Sequence, residues 1–140
     1  MVESGALVEP FSSTSPIARV DYRDIAEVAA IALTEDRLLD GAFELSADGG
    51  KNREELAAIA TQVSGHPIKA VAADFEEWFA KAGLPYDDKQ KQQLAAMYAH
   101  YDQHGLRSNP LTLRMLLGRE PRSVEGFFSD LVAGEPTVII

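Results

Sequence analysis

Cysteine is absent from the 140 residues, which excludes disulfides, thiolate metal sites and cysteine nucleophiles. Basic charge is scarce: 13 Lys and Arg stand against 22 Asp and Glu, a formal net charge of −9. Proteins that grip nucleic acid need a basic footprint to displace phosphate counterions. Here the nearest approach to one (Arg107, Arg114, Arg119 and Arg122) is diluted by apolar residues, so nucleic-acid binding is not expected. The same charge repels anionic lipid surfaces. No apolar run approaches the ~20 residues of a membrane span. Residues 1–10 lack the basic and long apolar regions of a signal peptide, and a cytoplasmic protein is expected.

What is present is an ordinary globular composition, 46% apolar and 25% charged. A chain of this length fits one modest domain and buries roughly two-thirds of its unfolded surface.

Residues 1–47 read as strand, loop, strand, helix, strand. Ala6-Leu7-Val8 is an extended run stopped by Pro10, and Ser12–Ser15 before Pro16 is turn chemistry. A second extended run is expected at Ile17–Val20. Asp21 or Asp24 is placed to cap a helix over residues 22–34. That helix is apolar on two faces, which implies burial on both. Gly41–Ser46, with Phe43 and Leu45 alternating against polar neighbours, reads as a strand.

Beyond the Asp48-Gly49-Gly50 break the chain reads as largely helical. Asn52 with Glu55 forms a capping-box pattern ahead of Leu56, Ile59, Ala60 and Val63, and Gly65 closes that helix. Ile68–Ala72 is a short strand, and Asp74 caps a helix carrying Phe75, Trp78 and Phe79. A helix over 86–104 and two shorter ones, 111–117 and 123–132, complete the pattern; residues 135–140 show no clear one. Three or four short strands are fewer than the usual ~5–6 of a sheet, so part of the sheet is expected to lie outside this chain.

Four segments carry a family resemblance. VDYRDIAEVAAIALTE at 20–35, GAFELSA at 41–47, NREELAAIATQVSGHPI at 52–68 and LLGREPRSVEGFFSDLV at 116–132 occur in order with fitting gaps. Together they resemble the C-terminal half of NmrA-like proteins, atypical members of the short-chain dehydrogenase superfamily, over roughly residues 5–133. The resemblance implies an α/β fold: a partial Rossmann-type parallel sheet (residues 1–47) and a mostly helical substrate-side region (residues 48–140). The N-terminal cofactor-binding half is lacking. NAD(P) is the family's cofactor, yet none is expected to bind this chain alone. Its ten glycines form no G-x-x-G-x-x-G or G-x-G-x-x-G turn. Tyr22, Tyr86, Tyr98 and Tyr101 have no lysine four residues on, so the Tyr-x-x-x-Lys pair of reductase members is missing too. No catalytic or cofactor-binding residue is assigned.

Other chemistry is thin. Asp21 and Asp24 could serve as paired carboxylates, but capping alone justifies acids there. His100 and His104 have the i, i+4 spacing of zinc ligands without a third ligand or the HExxH form, and no metal is assigned. Gly49-Gly50-Lys51-Asn52 lacks Walker spacing and sits beside Asp48, so a plain loop is expected. Phe11, Tyr22, Phe75, Trp78 and Phe79 are the substrate-cleft candidates, because the resemblance places this region, with the Ser12–Ser15 loop, against a substrate cleft.

The expected function is thus the substrate-side portion of an NmrA-like oxidoreductase-type protein, inert alone, with a small-molecule substrate. Its expected partner is the missing half or another copy of itself. The alternative is a non-enzymatic regulatory or interaction module of the same family. A self-sufficient enzyme using His100 or the carboxylates ranks last.

Overall fold

The computed structural model describes residues 2–3, by backbone alone, and 5–134; the tail at 135–140 lies outside the described residues. The chain forms two compact units that interleave in sequence, Met1–Ile17 with Lys51–Leu106 and Ala18–Gly50 with Arg107–Ile140.

The first unit holds the sheet. Strand β1 (Val2–Glu3) pairs antiparallel with β2 (Ala6–Glu9). Strand β3 (Lys69–Ala72) pairs parallel with β2, Ala6 opposite Lys69 and Glu9 opposite Ala72. The β2–β3 ladder joins a strand from each side of residue 47, so these compact units do not follow that division.

Helix α2 (Arg53–Ser64) leads into β3. Its capping box forms as expected: the Asn52 side chain accepts from Glu55 N at 2.9 Å, and Glu55 accepts from Asn52 N at 2.8 Å. Leu56, Ala57 and Ala60 turn inward, and Gly65 ends the helix in the left-handed region at φ 72°. Helix α3 (Phe75–Ala82) starts under Asp74, and α4 (Asp88–His104) starts under a second capping box between Asp87 and Gln90.

The second unit is helical. Helix α1 (Tyr22–Thr34) is capped by Asp21, which accepts from Arg23 N at 2.8 Å. A 3-10 turn (Asp36–Leu38), α5 (Leu111–Leu117) and α6 (Val124–Ala133) follow. The core is Val20, Val28 and Leu113, with Ile25, Leu45, Leu116 and Leu117 packed on it.

Three expectations need correction here. Ile17–Val20 makes only isolated bridges at Ile17, and Gly41–Ser46 forms no strand. A strand needs a neighbouring backbone for its N–H and C=O groups, and no ladder partner flanks either segment among the described residues. The apolar side chains are used differently: Leu45 packs on the core while Phe43 stays 44% exposed. Helix α1 is covered on one face only. Val28 is buried, whereas Ala26, Ala29, Ala30 and Leu33 are exposed, Leu33 at 87%. Within its own unit nothing described packs over that second face.

Candidate functional site

The most distinctive chemistry of the first unit is an aromatic layer built on a buried arginine. Arg53 occupies the first turn of α2, where the helix dipole disfavours a cation. Its compensation is tertiary. Only 2% exposed, Arg53 donates to the Glu9 carbonyl at 2.9 Å, Val71 at 2.7 Å, Ser12 at 3.1 Å, and to the Phe11 carbonyl. These are the carbonyls at the ends of β2 and β3 and in the loop after β2. The five N–H donors of a guanidinium, spread over a planar fork, reach four separated carbonyls, more than the three donors on the single nitrogen of an ammonium can. Arg53 also lies over the Phe11 ring, 4.7 Å from its centroid, a cation–π contact.

From Phe11 the layer spreads outward. Tyr98 of α4 stacks on Phe11 at 5.6 Å and meets Trp78 edge-on at 5.4 Å. Phe75 sits 6.3 Å from Tyr98 and 5.8 Å from Phe79. Burial pushes the Tyr98 phenol above its usual pKa, with Glu9, Tyr101 and Tyr86 adding to the rise and Arg53 opposing it. Tyr98 is therefore a neutral packing group at physiological pH and a weaker proton donor than a free tyrosine.

The loop after β2 is held as firmly as the rings. Ser12 N donates to Asp102 Oδ1 at 2.7 Å, Ser15 Oγ to the Asp102 carbonyl at 3.0 Å, and Ser13 Oγ to Glu54 Oε1 at 2.8 Å. The amides of Arg53 and Glu54 both reach the Ser13 carbonyl.

Four of the five cleft candidates come together in this layer: Phe11 in the core, and Phe75, Trp78 and Phe79 half-buried. Tyr22 belongs to the second unit, at the start of α1, 45% exposed. Arg53, Tyr98 and Tyr101 are absent from that candidate set. The legible signal for Arg53 was a cation placed beside an N-cap.

The carboxylate pair proves structural, and its roles divide. Asp21 caps α1 and takes Arg23 Nε at 2.9 Å and Nη2 at 2.6 Å. Asp24 does not cap. Fully buried, it accepts from the Arg119 side chain at 2.8 Å, from the Arg122 backbone N–H at 2.7 Å, and from the Arg122 guanidinium. Charge-assisted bonds to both oxygens leave neither carboxylate free for proton transfer.

The His100 and His104 rings lie 4.6 Å apart, tilted by 47°, on an exposed stretch of α4, and no metal-ligating cluster of three or more groups occurs among the described residues. The Gly50 amide is taken by Asp48 Oδ1 at 2.9 Å. Acidic residues stand in the first turns of α1, α2, α3, α4 and α6. A dinucleotide pyrophosphate needs a helix start with free amides and no competing anion. Among the described α-helices only α5 starts without an acid, and its first amide, Leu111 N–H, is taken by Asn109 Oδ1 at 2.9 Å. Nor is any described helix long and apolar enough to cross a membrane.

No family model matches the sequence, and no curated protein matches it. Solved structures do. Triphenylmethane reductase of Citrobacter sp. is 23% identical with a TM-score of 0.65, the match covering 94% of this chain and 45% of that one. An NADPH-dependent quinone oxidoreductase of Escherichia coli is 21% identical with a TM-score of 0.67, over 91% of this chain and 46% of that one. A nucleoside-diphosphate-sugar epimerase of Staphylococcus aureus is 20% identical with a TM-score of 0.67, over 89% and 43%. Structures of the first two have been determined with NADP(H) and NADPH. At these identities the likeness shows the fold alone: a partial α/β domain. The chain spans a little under half the length of the structures it matches, in keeping with the resemblance to the C-terminal half of NmrA-like proteins.

Proposed function

We propose that this chain is the substrate-side portion of an NmrA-like, NAD(P)-binding oxidoreductase-type protein of the cytoplasm. Cofactor grip, and any hydride transfer, belong to a separate N-terminal half. The observation that carries the reading is a pairing: a fold shared with less than half of each reductase chain, and acids in the first turns of five of the six described α-helices. Two strand-like segments outside any ladder and the bare second face of α1 support a missing covering layer. In this reading the aromatic layer around Tyr98 lines the substrate side, as a wall without acid–base groups of its own.

Calorimetric titration of NADPH into the purified chain tests it. No binding is expected up to millimolar cofactor; micromolar affinity, about −8 kcal/mol, would overturn the assignment of the cofactor site elsewhere. Mixing with a separately expressed NAD(P)-binding half is expected to restore nucleotide binding.

The exposure of Leu33 and of Met115, 87% and 71%, also favours a second reading, a non-enzymatic interaction module. Light scattering after size exclusion bears on it: an oligomer or a retained partner is expected, and a clean monomer counts against it.

A further inference from the structure

A cavity of about 270 Å³ opens between α3 and α4, lined by Phe75, Glu76, Asp88, Lys91, Gln92 and Ala95. The four α4 residues stand at i, i+3, i+4 and i+7, a single helix face. A face that packs on a neighbouring helix is normally apolar. This one carries an acid, a base and an amide, with only Ala95 and the Phe75 ring to supply apolar floor.

The charges are not balanced. Lys91 is committed, paired with Glu76 and lying 5.1 Å from the Phe79 centroid. The exposed Asp88 carboxylate, in the first turn of α4, makes no side-chain hydrogen bond or ion pair among the described residues, so the groove carries one net negative charge in its lining. Its volume falls just below the ~300 Å³ at which drug-sized pockets begin, room for a single ring with a short arm.

We propose that the α3–α4 groove binds a one-ring aromatic cation, its ring against Phe75 and its positively charged N–H group on the Asp88 carboxylate. Gln92 offers a second acceptor through its amide oxygen. The site lies wholly within the first unit and is independent of where the nicotinamide cofactor binds.

The sole tryptophan, Trp78, is 6.4 Å from Phe75, so its fluorescence reports on the groove. Benzamidine, its neutral isostere benzamide and benzoate are titrated into the full chain at pH 7. Saturable quenching is expected with benzamidine, binding about tenfold tighter than benzamide, with benzoate weakest. Asp88→Asn is expected to reduce the benzamidine preference to within about twofold. It leaves the Asp87 capping box intact, and unchanged circular dichroism verifies folding. Equal affinity for the cation and its isostere overturns the proposal, as does a preference that survives Asp88→Asn. No saturable response to benzamidine has the same consequence.

Discussion

Asp24 of α1 accepts the backbone N–H of Arg122 at 2.7 Å, across 98 residues of sequence, while Arg119 and Arg122 bring their guanidinium groups to its other oxygen. The carboxylate is fully buried, and Arg119 also reaches Glu27. The segments VDYRDIA and LLGREPRS are thus two halves of one ion cluster, which closes the loop between α5 and α6 onto α1. The Asp24 and Glu27 carboxylates hold Arg119 above its usual pKa.

Because a buried charge is costly once its partners are gone, removing one side of this cluster is expected to cost more than removing both. Arg119→Ala with Arg122→Ala, which leaves the fully buried Asp24 carboxylate unpaired, should destabilise the chain by about 3 kcal/mol. Adding Asp24→Asn removes that orphaned charge, so the triple change should cost less than the sum of the separate changes, with at least about 1 kcal/mol of coupling. Urea melts of the cycle measure this; strict additivity would show the cluster to be energetically idle.

Arg53→Lys should be nearly as damaging as Arg53→Met, since a point charge cannot satisfy four carbonyls arranged around a planar fork. Each is expected to cost about 2–4 kcal/mol, and thermal melts compare them. If the lysine variant melts like the parent, charge alone suffices and the role given to the fork is wrong.

Gly105 follows α4 with φ 66° and ψ −171°, a conformation essentially reserved for glycine. A Cβ there would lie 2.6 Å from the Pro16 carbonyl oxygen. Gly105→Ala is expected to cost more than about 2 kcal/mol. At Gly65, also at positive φ but with nothing within 4 Å of an added Cβ, alanine should cost only about 1 kcal/mol. Reversal of that order in denaturant melts would contradict the described turn.

The two pH limbs of stability should separate. Hydrogen bonds from Arg23 hold the Asp21 carboxyl below the usual range, against the opposing effect of burial. The unfolded chain then takes the proton more readily. This contribution is complete above the unfolded pKa near ~4 and fades as pH falls through the lower folded value. Tyr98 behaves oppositely. Its raised pKa gives stability below the unfolded value near ~10, lost as pH rises through the folded one. Asp21→Asn should flatten only the acid limb and Tyr98→Phe only the alkaline limb. Chemical denaturation across pH reads both.

Local chemistry was legible in the sequence wherever it acts over a few residues. Asn52 with Glu55, Asp74, Asp21 and the glycines at 65, 118 and 134 marked helix ends because a cap is completed by backbone amides and carbonyls within one turn. The ordered segments around VDYRDIA and LLGREPRS indicated the fold for a related reason: each is a contiguous stretch. What depends on distant chain could not be read that way. Gly41–Ser46 has strand-type alternation, but a ladder needs a second backbone and the described residues offer none. Arg53 reads locally as a surface residue, and only the arrival of Glu9, Phe11, Ser12 and Val71 around it makes a buried clamp. Asp24 looked like a cap until folding brought Arg119 and Arg122 to it. Caps form from neighbours in sequence, whereas ladders and buried charges take their partners from residues tens of positions away, which only the folded chain assembles.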